Sequence, residues 1–322
     1  LFNAITDVPG IRVGHASDFE AKTGCTVILC EEGAVAGIDL RGTAAGTRQI
    51  DSLSPLHLVN EVHAVCLAGG SAFGLDAGGG VAKFLEEQGK GLALATVRIP
   101  IVPTAIIFDL FFGDSKVRPD QDMGYQACLN CSSEKVKEGS VGVGTGATVG
   151  KLYTVRQAMK GGVGTASAKL PGGSIVGALA VVNAFGDVID ASKGEIIAGA
   201  RVAPDSLELA NSAEKIKEEV QGAFIPGEST TLGVIATNCR LSKQQATKVA
   251  QMTQDGIARV IDPAHSIFDG DVTFTLSLGT ENTDVNTIGR WGAELIGISI
   301  QRAVREADGF GIIPAYRDLK GK

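Results

Sequence analysis

Short apolar runs, bounded by glycine or charge, recur along this chain between stretches of helical spacing. Thr26–Glu31 and Val62–Leu67 are rich in β-branched and apolar residues and read as buried strands. Phe73–Gln88 has the spacing of a helix, entered through Ala68-Gly69-Gly70-Ser71, and Met123–Ser132 reads as a second. Gly139–Gly150 is a glycine-rich loop, and Ser174–Asn183 is an apolar strand followed by the turn Phe185-Gly186-Asp187 and a further short strand. Leu207–Val220 carries the Glu–Lys spacing of a solvated helix face, and Phe224–Ser229 reads as a turn. The exposed connection of the fold is therefore expected in the 208–230 region. Thr231–Thr237 reads as a buried strand, and Ser242 is placed to cap a helix over Lys243–Ile261. Val272–Leu278 alternates like a strand. Val285–Ala307 is a long helix with Trp291, Leu295, Ile298 and Val304 on one apolar face. Strands and helices in this mixed order predict a layered α+β fold rather than a doubly wound sheet. With no low-complexity linker and no internal repeat, residues 1–322 are expected to form one domain.

Composition narrows the function. Apolar residues at 44% and charged residues at 20% exclude bulk disorder. Glycine, 43 of 322 residues, is about twice its usual share, which points to tight turns and close backbone approaches. A net charge of −7 with no basic run argues against binding nucleic acid or an anionic membrane surface. The longest apolar stretch, Ile99–Phe112, is broken by Pro100, Pro103 and Asp109 and is too short to span a bilayer. Residues 1–20 hold no basic segment followed by an apolar core, so no secretory leader is expected and a cytoplasmic location is. The six cysteines then read as reduced thiols. Cys128-Leu-Asn-Cys131 has the spacing of half a zinc site but lacks a second pair, and His15, His57, His63 and His265 are scattered. Neither a metal nor an organic cofactor is expected.

Two familiar motifs fail on inspection. In Thr145–Leu152, Thr145 stands where a phosphate loop needs its first glycine, and Leu152 where it needs Ser or Thr. In Gly69-Gly-Ser-Ala-Phe73, Phe73 replaces the second glycine of a nucleophile elbow. The hydroxyl cluster Ser229-Thr230-Thr231, at a turn-to-strand junction, offers another chemistry. A hydroxyl needs a nearby base to become a nucleophile. If the chain is cut before such a residue, the freed α-amine, with a pKa near 8, is that base, and no histidine is required. Taken alone, threonines here equally fit ordinary strand preference.

Over nearly its whole length the chain resembles the self-cleaving L-aminopeptidase/D-esterase (DmpA-type) family, which includes β-peptidyl aminopeptidases and nylon-oligomer endohydrolases. The matching stretches are Ile5–His15, Asp39-Leu-Arg-Gly42 with Gly46-Thr-Arg48, Leu67–Asp76, Ile99–Pro103, Gly144–Lys151 and Ser229–Asn238. The first three read as structural. The resemblance implies an αββα sandwich of the type shared with ornithine acetyltransferase. It implies self-cleavage before Thr230 into fragments 1–229 and 230–322, assembled as a tetramer of αβ units. Counting back from Ala236-Thr237 places the nucleophile at Thr230 rather than Thr231, although the junction is Ser229-Thr230 where family members have Asn-Thr or Gly-Ser.

The same resemblance implies an oxyanion-hole role for Asn183, a place near the nucleophile for Lys151, and a proton-orienting role for Asp269 and Asp271. Without it, Asn183 is a turn residue, Lys151 a solvated loop charge, and Asp269-Gly-Asp271 a turn or a cation site. The aminopeptidase members carry Ser-x-Glu in place of Asp269-Gly-Asp271. They also carry an acid and a tyrosine where this chain has Ile106 and Phe108. That loss favours an endo-acting amide hydrolase of small peptides, amides or esters over an aminopeptidase. Acyl transfer and an unprocessed, non-catalytic scaffold are the competing readings.

Overall fold

The computed structural model describes residues 1–218 and 228–319. Among these, nine strands join into one mixed sheet. They are β1 (Arg12–Asp18), β2 (Thr23–Leu40), β3 (Thr47–Arg48), β4 (Glu61–Ala68) and β5 (Thr104–Ile106). Then follow β6 (Gly162–Lys169), β7 (Ile175–Asn183), β8 (Thr230–Cys239) and β9 (Val272–Glu281). The order is β6-β7-β8-β9-β2-β4-β5-β3, with β1 beside β2. Pairs β8–β9 and β4–β5 are parallel, and the rest of the path is antiparallel.

Strand β2 makes this sheet two layers. Its first half pairs with β1 and β4 and its second half with β9, and its register against β4 shifts between Leu29 and Ala34. Side-chain alternation then sorts the core. Leu179 and Val181 of β7 join Leu232 and Val234 of β8 and Ile28 of β2 in the cluster between the layers. Ala178, Ala180 and Val182 face outward with Ile235 onto two helices, α3 (Lys243–Ile257) and α4 (Val285–Arg305). On the other side Val27, Leu29 and Cys66 meet α1 (Ala77–Glu87) and α2 (Gln121–Leu129). The architecture is therefore the expected αββα sandwich.

Helix starts follow their sequence signals. Ser242 and Gln245 form a reciprocal capping box on α3, and Asp284 accepts the Thr287 amide at 3.1 Å on α4. Helix α3 stops at Ile257, short of the expected Ile261, because Ile261 pairs instead with Val188 in a small separate sheet. The expected helix over Leu207–Val220 is reduced to Ser212–Lys215 and one turn after it. Asp187 binds both the amide and the hydroxyl of Ser212, and Leu209 bridges Arg201, so the chain before 212 is held extended. Positions 219–220 of that helix and 224–227 of the expected turn lie outside the described residues. No described helix is long and apolar enough to cross a membrane.

Candidate active site

Strand register brings together residues that are far apart in sequence. Thr230 opens β8 directly opposite Asn183, which closes β7. On the other side of β8, Asp271 immediately precedes β9, and Ser229 bridges Asp269. The loop before the Thr148–Val149 strand segment continues to Lys151, whose amide donates to the Phe185 carbonyl at 2.9 Å. All five residues singled out in the sequence thus lie at one end of the sheet, each buried to at least 93% of its surface.

The Thr230 hydroxyl donates to the Ser229 carbonyl oxygen at 2.5 Å. The Gly270 amide donates to that same oxygen at 2.8 Å. The carbonyl before Thr230 is therefore polarised by a backbone N–H and touched by the side-chain hydroxyl that follows it. Thr231 differs: its amide goes to Asp271 Oδ1 at 2.6 Å, while its hydroxyl is enclosed with no partner among the described residues. This geometry separates the two threonines.

Asn183 and Lys151 converge on the preceding peptide unit. Asn183 Nδ2 donates to the Glu228 and Phe108 carbonyls, both at 3.1 Å, and its Oδ1 accepts the Thr148 amide. Lys151 Nζ donates to Glu228 O at 2.6 Å and Asn183 O at 2.9 Å. Lys151 is not a solvated loop charge. Burial pulls its pKa down to about 7, against the opposing pull of Glu228, Asp269 and Asp109. Phe108, Asp109, Phe112, Val155 and Glu228 close the space in front of it to about 10 Å³, the least that a single water needs. Glu228 is itself part of that wall. Burial raises its carboxyl pKa, and one of its oxygens has no hydrogen-bond partner among the described residues.

Asp269 and Asp271 are held by different partners. Asp269 accepts from the Phe185 amide at 3.1 Å and from both the amide and hydroxyl of Ser266. Burial first, and the charge of Asp271 second, push its pKa up to about 6. Asp271 accepts His265 Nδ1 at 2.7 Å on the oxygen not used by Thr231. His265 and Ser266 were not singled out in the sequence. Their signal was proximity to the acidic pair, which a search for a histidine-based triad passes over. No group of His, Cys, Asp and Glu among the described residues is arranged to hold a metal ion.

The stretch Asp39-Leu-Arg-Gly42 is structural, as expected, but it serves this site. Arg41 and Ala44 donate their amides to the carbonyls of Asp271 and Asp269 at 3.0 and 3.1 Å. A Cβ on Gly42 would lie 2.1 Å from the Asp269 carbonyl oxygen. Gly42→Ala is therefore expected to displace the acidic turn from β8 at a cost of about 1–3 kcal/mol. Thermal unfolding should show a lowered Tm, and the Asp271–Thr231 contact should loosen with it.

Comparison with known proteins gives the chain's family. The profile of peptidase family S58 matches residues 3–309. A protein of Mycobacterium tuberculosis named an uncharacterized aminopeptidase is 41% identical, with 98% of each chain covered. A 6-aminohexanoate-oligomer endohydrolase of Paenarthrobacter ureafaciens is 31% identical over 87% of this chain and 76% of its own. Among solved structures, the L-aminopeptidase D-Ala-esterase/amidase of Ochrobactrum anthropi, described as a variant of the Ntn hydrolase fold, superposes with a TM-score of 0.72 at 18% identity. That match covers 95% of this chain and 87% of the other. A Burkholderia β-aminopeptidase gives 0.70 at 21%, covering 100% and 93%. These two establish the fold.

Proposed function

Since the chain belongs to peptidase family S58 and is an amide-bond hydrolase, we propose that Thr230 is its nucleophile, released by self-cleavage of the Ser229–Thr230 bond into fragments 1–229 and 230–322. The observation that carries this reading is the contact of the Thr230 hydroxyl with the Ser229 carbonyl, whose oxygen is already hydrogen-bonded by Gly270. Attack of Oγ on that carbonyl carbon transfers the acyl group from nitrogen to oxygen, and water then hydrolyses the ester. The products are a Ser229 carboxylate and a free Thr230 α-amine.

In turnover the amine takes the hydroxyl proton as Oγ attacks a substrate amide. The proton passes to the leaving amine, an acyl-enzyme remains, and water releases the acid. Asn183 Nδ2 and Lys151 Nζ, which converge on the Glu228 carbonyl in the uncut chain, are the donors for the tetrahedral oxyanion once the 228–229 tail withdraws. Asp271 holds the backbone at Thr231, and Asp269 holds the turn beside it.

The pocket residues favour an endo-acting amide hydrolase. Phe108, Phe111 and Phe112 supply an apolar wall. The nearby Asp109 carboxylate is engaged by the Gly70 amide and the Thr23 hydroxyl, each at 2.7 Å, rather than left for a substrate ammonium. Linear ω-aminoacyl oligomers are the class this suits. Assembly into a tetramer of cleaved units and work in the cytoplasm complete the proposal. The described cysteines, all buried free thiols, fit a reducing compartment. The test is hydrolysis of a 6-aminohexanoate oligomer against an aminoacyl p-nitroanilide. Cleavage inside the oligomer supports the endo reading, and release from the amino end alone overturns it.

The proposal carries a pH dependence. Asp269 gains its proton as pH falls through about 6 and then loses the charge that anchors the Phe185 and Ser266 amides. The fall in kcat/KM set by protonation of the Thr230 α-amine, near pH 8, should therefore steepen by a further tenfold per unit below about pH 6. A profile that keeps a single slope down to the ordinary aspartate value, about 4, would show that Asp269 need not be ionised.

A further inference from the structure

Building on the reading of Thr230 as nucleophile, we propose that His265 is a positioning residue of the reaction: its ring, seated on Asp271, aims that carboxylate at the backbone of Thr231 and supplies the cation that lets two buried carboxylates stand beside the nucleophile. The geometry runs in one line. His265 Nδ1 lies 2.7 Å from Asp271 Oδ2, and its backbone amide reaches the same oxygen at 3.3 Å. The other oxygen of Asp271 takes the Thr231 amide at 2.6 Å. Asp271 thus bridges His265 to the strand that begins at Thr230. Ser266, the next residue, holds Asp269 through its amide and hydroxyl. One short loop therefore orients both carboxylates.

Two further observations set His265 apart from a packing residue. The Asp271 side chain is 2% exposed and that of His265 21% exposed, so the ring is the member of the pair that reaches water. Its backbone has φ 56°, a left-handed conformation that non-glycine residues adopt at a cost unless their surroundings impose it. The groups facing it are Asp271, Asp269 and the Gln254 carbonyl of α3. The described cation near the acids from the other side, Lys151, is bonded to the Asn183 and Glu228 carbonyls. Burial disfavours the imidazolium, but the hydrogen bond and charge of Asp271 outweigh it and raise the His265 pKa above its ordinary value. The same cation opposes the rise in Asp269.

Two variants separate charge from shape. His265→Asn keeps an N–H donor near the Nδ1 position but carries no charge. His265→Leu keeps neither. The readouts are the pH profile of kcat/KM on a 6-aminohexanoate oligomer and the rate at which freshly refolded precursor splits on a denaturing gel. In both variants the lower acid step, that of Asp269, is expected to move up by about one pH unit, since the cation beside the acids is gone. The asparagine should recover most of the high-pH plateau, whereas the leucine should lower it about 10- to 100-fold through a misplaced carboxylate.

A lower acid step unmoved in both variants, with only a uniform fall in rate, would reduce His265 to packing and overturn the inference. So would a His265→Asn protein that melts like the parent yet stays uncut at every pH. Thr230→Ala run alongside keeps the two readings apart: if that variant splits, the nucleophile assignment fails whatever His265 does.

Discussion

Thr230→Ala is expected to give a single undivided chain with no measurable amide hydrolysis. Removing a nucleophile that acts as one unit with its base costs about 10⁶ in kcat in comparable acyl-transfer sites. On the proposed mechanism the loss is compounded, because the base would be the α-amine of the same residue and would never be released. Thr230 sits 1% exposed with its hydroxyl on the Ser229 carbonyl, so loss of one hydroxyl and one methyl should leave the fold standing. Thr230→Ser, which keeps the hydroxyl, should still cut and turn over. Thr231→Val is the control for register. Its hydroxyl has no described partner, so that variant should cut normally. Gel electrophoresis and N-terminal sequencing of the smaller fragment read all three. A Thr230→Ala protein that splits, or a fragment beginning at Thr231, would remove the assignment.

Asn183→Ala should separate the cut from the turnover. In the uncut chain the Asn183 amide is engaged by the Glu228 and Phe108 carbonyls, while the Ser229 carbonyl is served by the Gly270 N–H. On the proposed mechanism the cut and the later hydrolysis would therefore draw on different donors. Loss of one oxyanion donor lowers kcat by about 10²–10³. That loss is expected in turnover with KM little changed, while cutting slows far less. The variant also leaves the Thr148 amide without its acceptor, which costs about 1–3 kcal/mol of stability. Its Tm must be measured so that unfolding is not mistaken for lost chemistry. A folded Asn183→Ala protein that never cuts would show one donor set serving both steps.

Much of the candidate site is legible in the amino-acid sequence. The strand pattern over Ser174–Asn183 and Thr231–Thr237 is borne out as β7, one residue shorter, and β8, three residues longer. The family resemblance points to Thr230, Asn183, Lys151, Asp269 and Asp271, and these five meet at one sheet end. Two readings that rest on the residues alone do not hold in full: Lys151 is buried rather than solvated, and the helix over Leu207–Val220 begins only at Ser212 among the described residues.

The chain's local pattern determined which segments are strands and helices, because apolar period and capping residues act over a few positions. It also determined the chemistry on offer: a hydroxyl at a turn-to-strand junction, an amide, an amine and two acids. Only tertiary structure decided how these meet. The register shift along β2, where its pairing passes from β4 to β9, sets the two layers, and the β7–β8 register puts Asn183 opposite Thr230. The loop before β9 turns His265 onto Asp271. Those contacts join residues far apart in sequence, and their burial, which shifts the charges of Lys151 and Asp269, arises when the layers close over them.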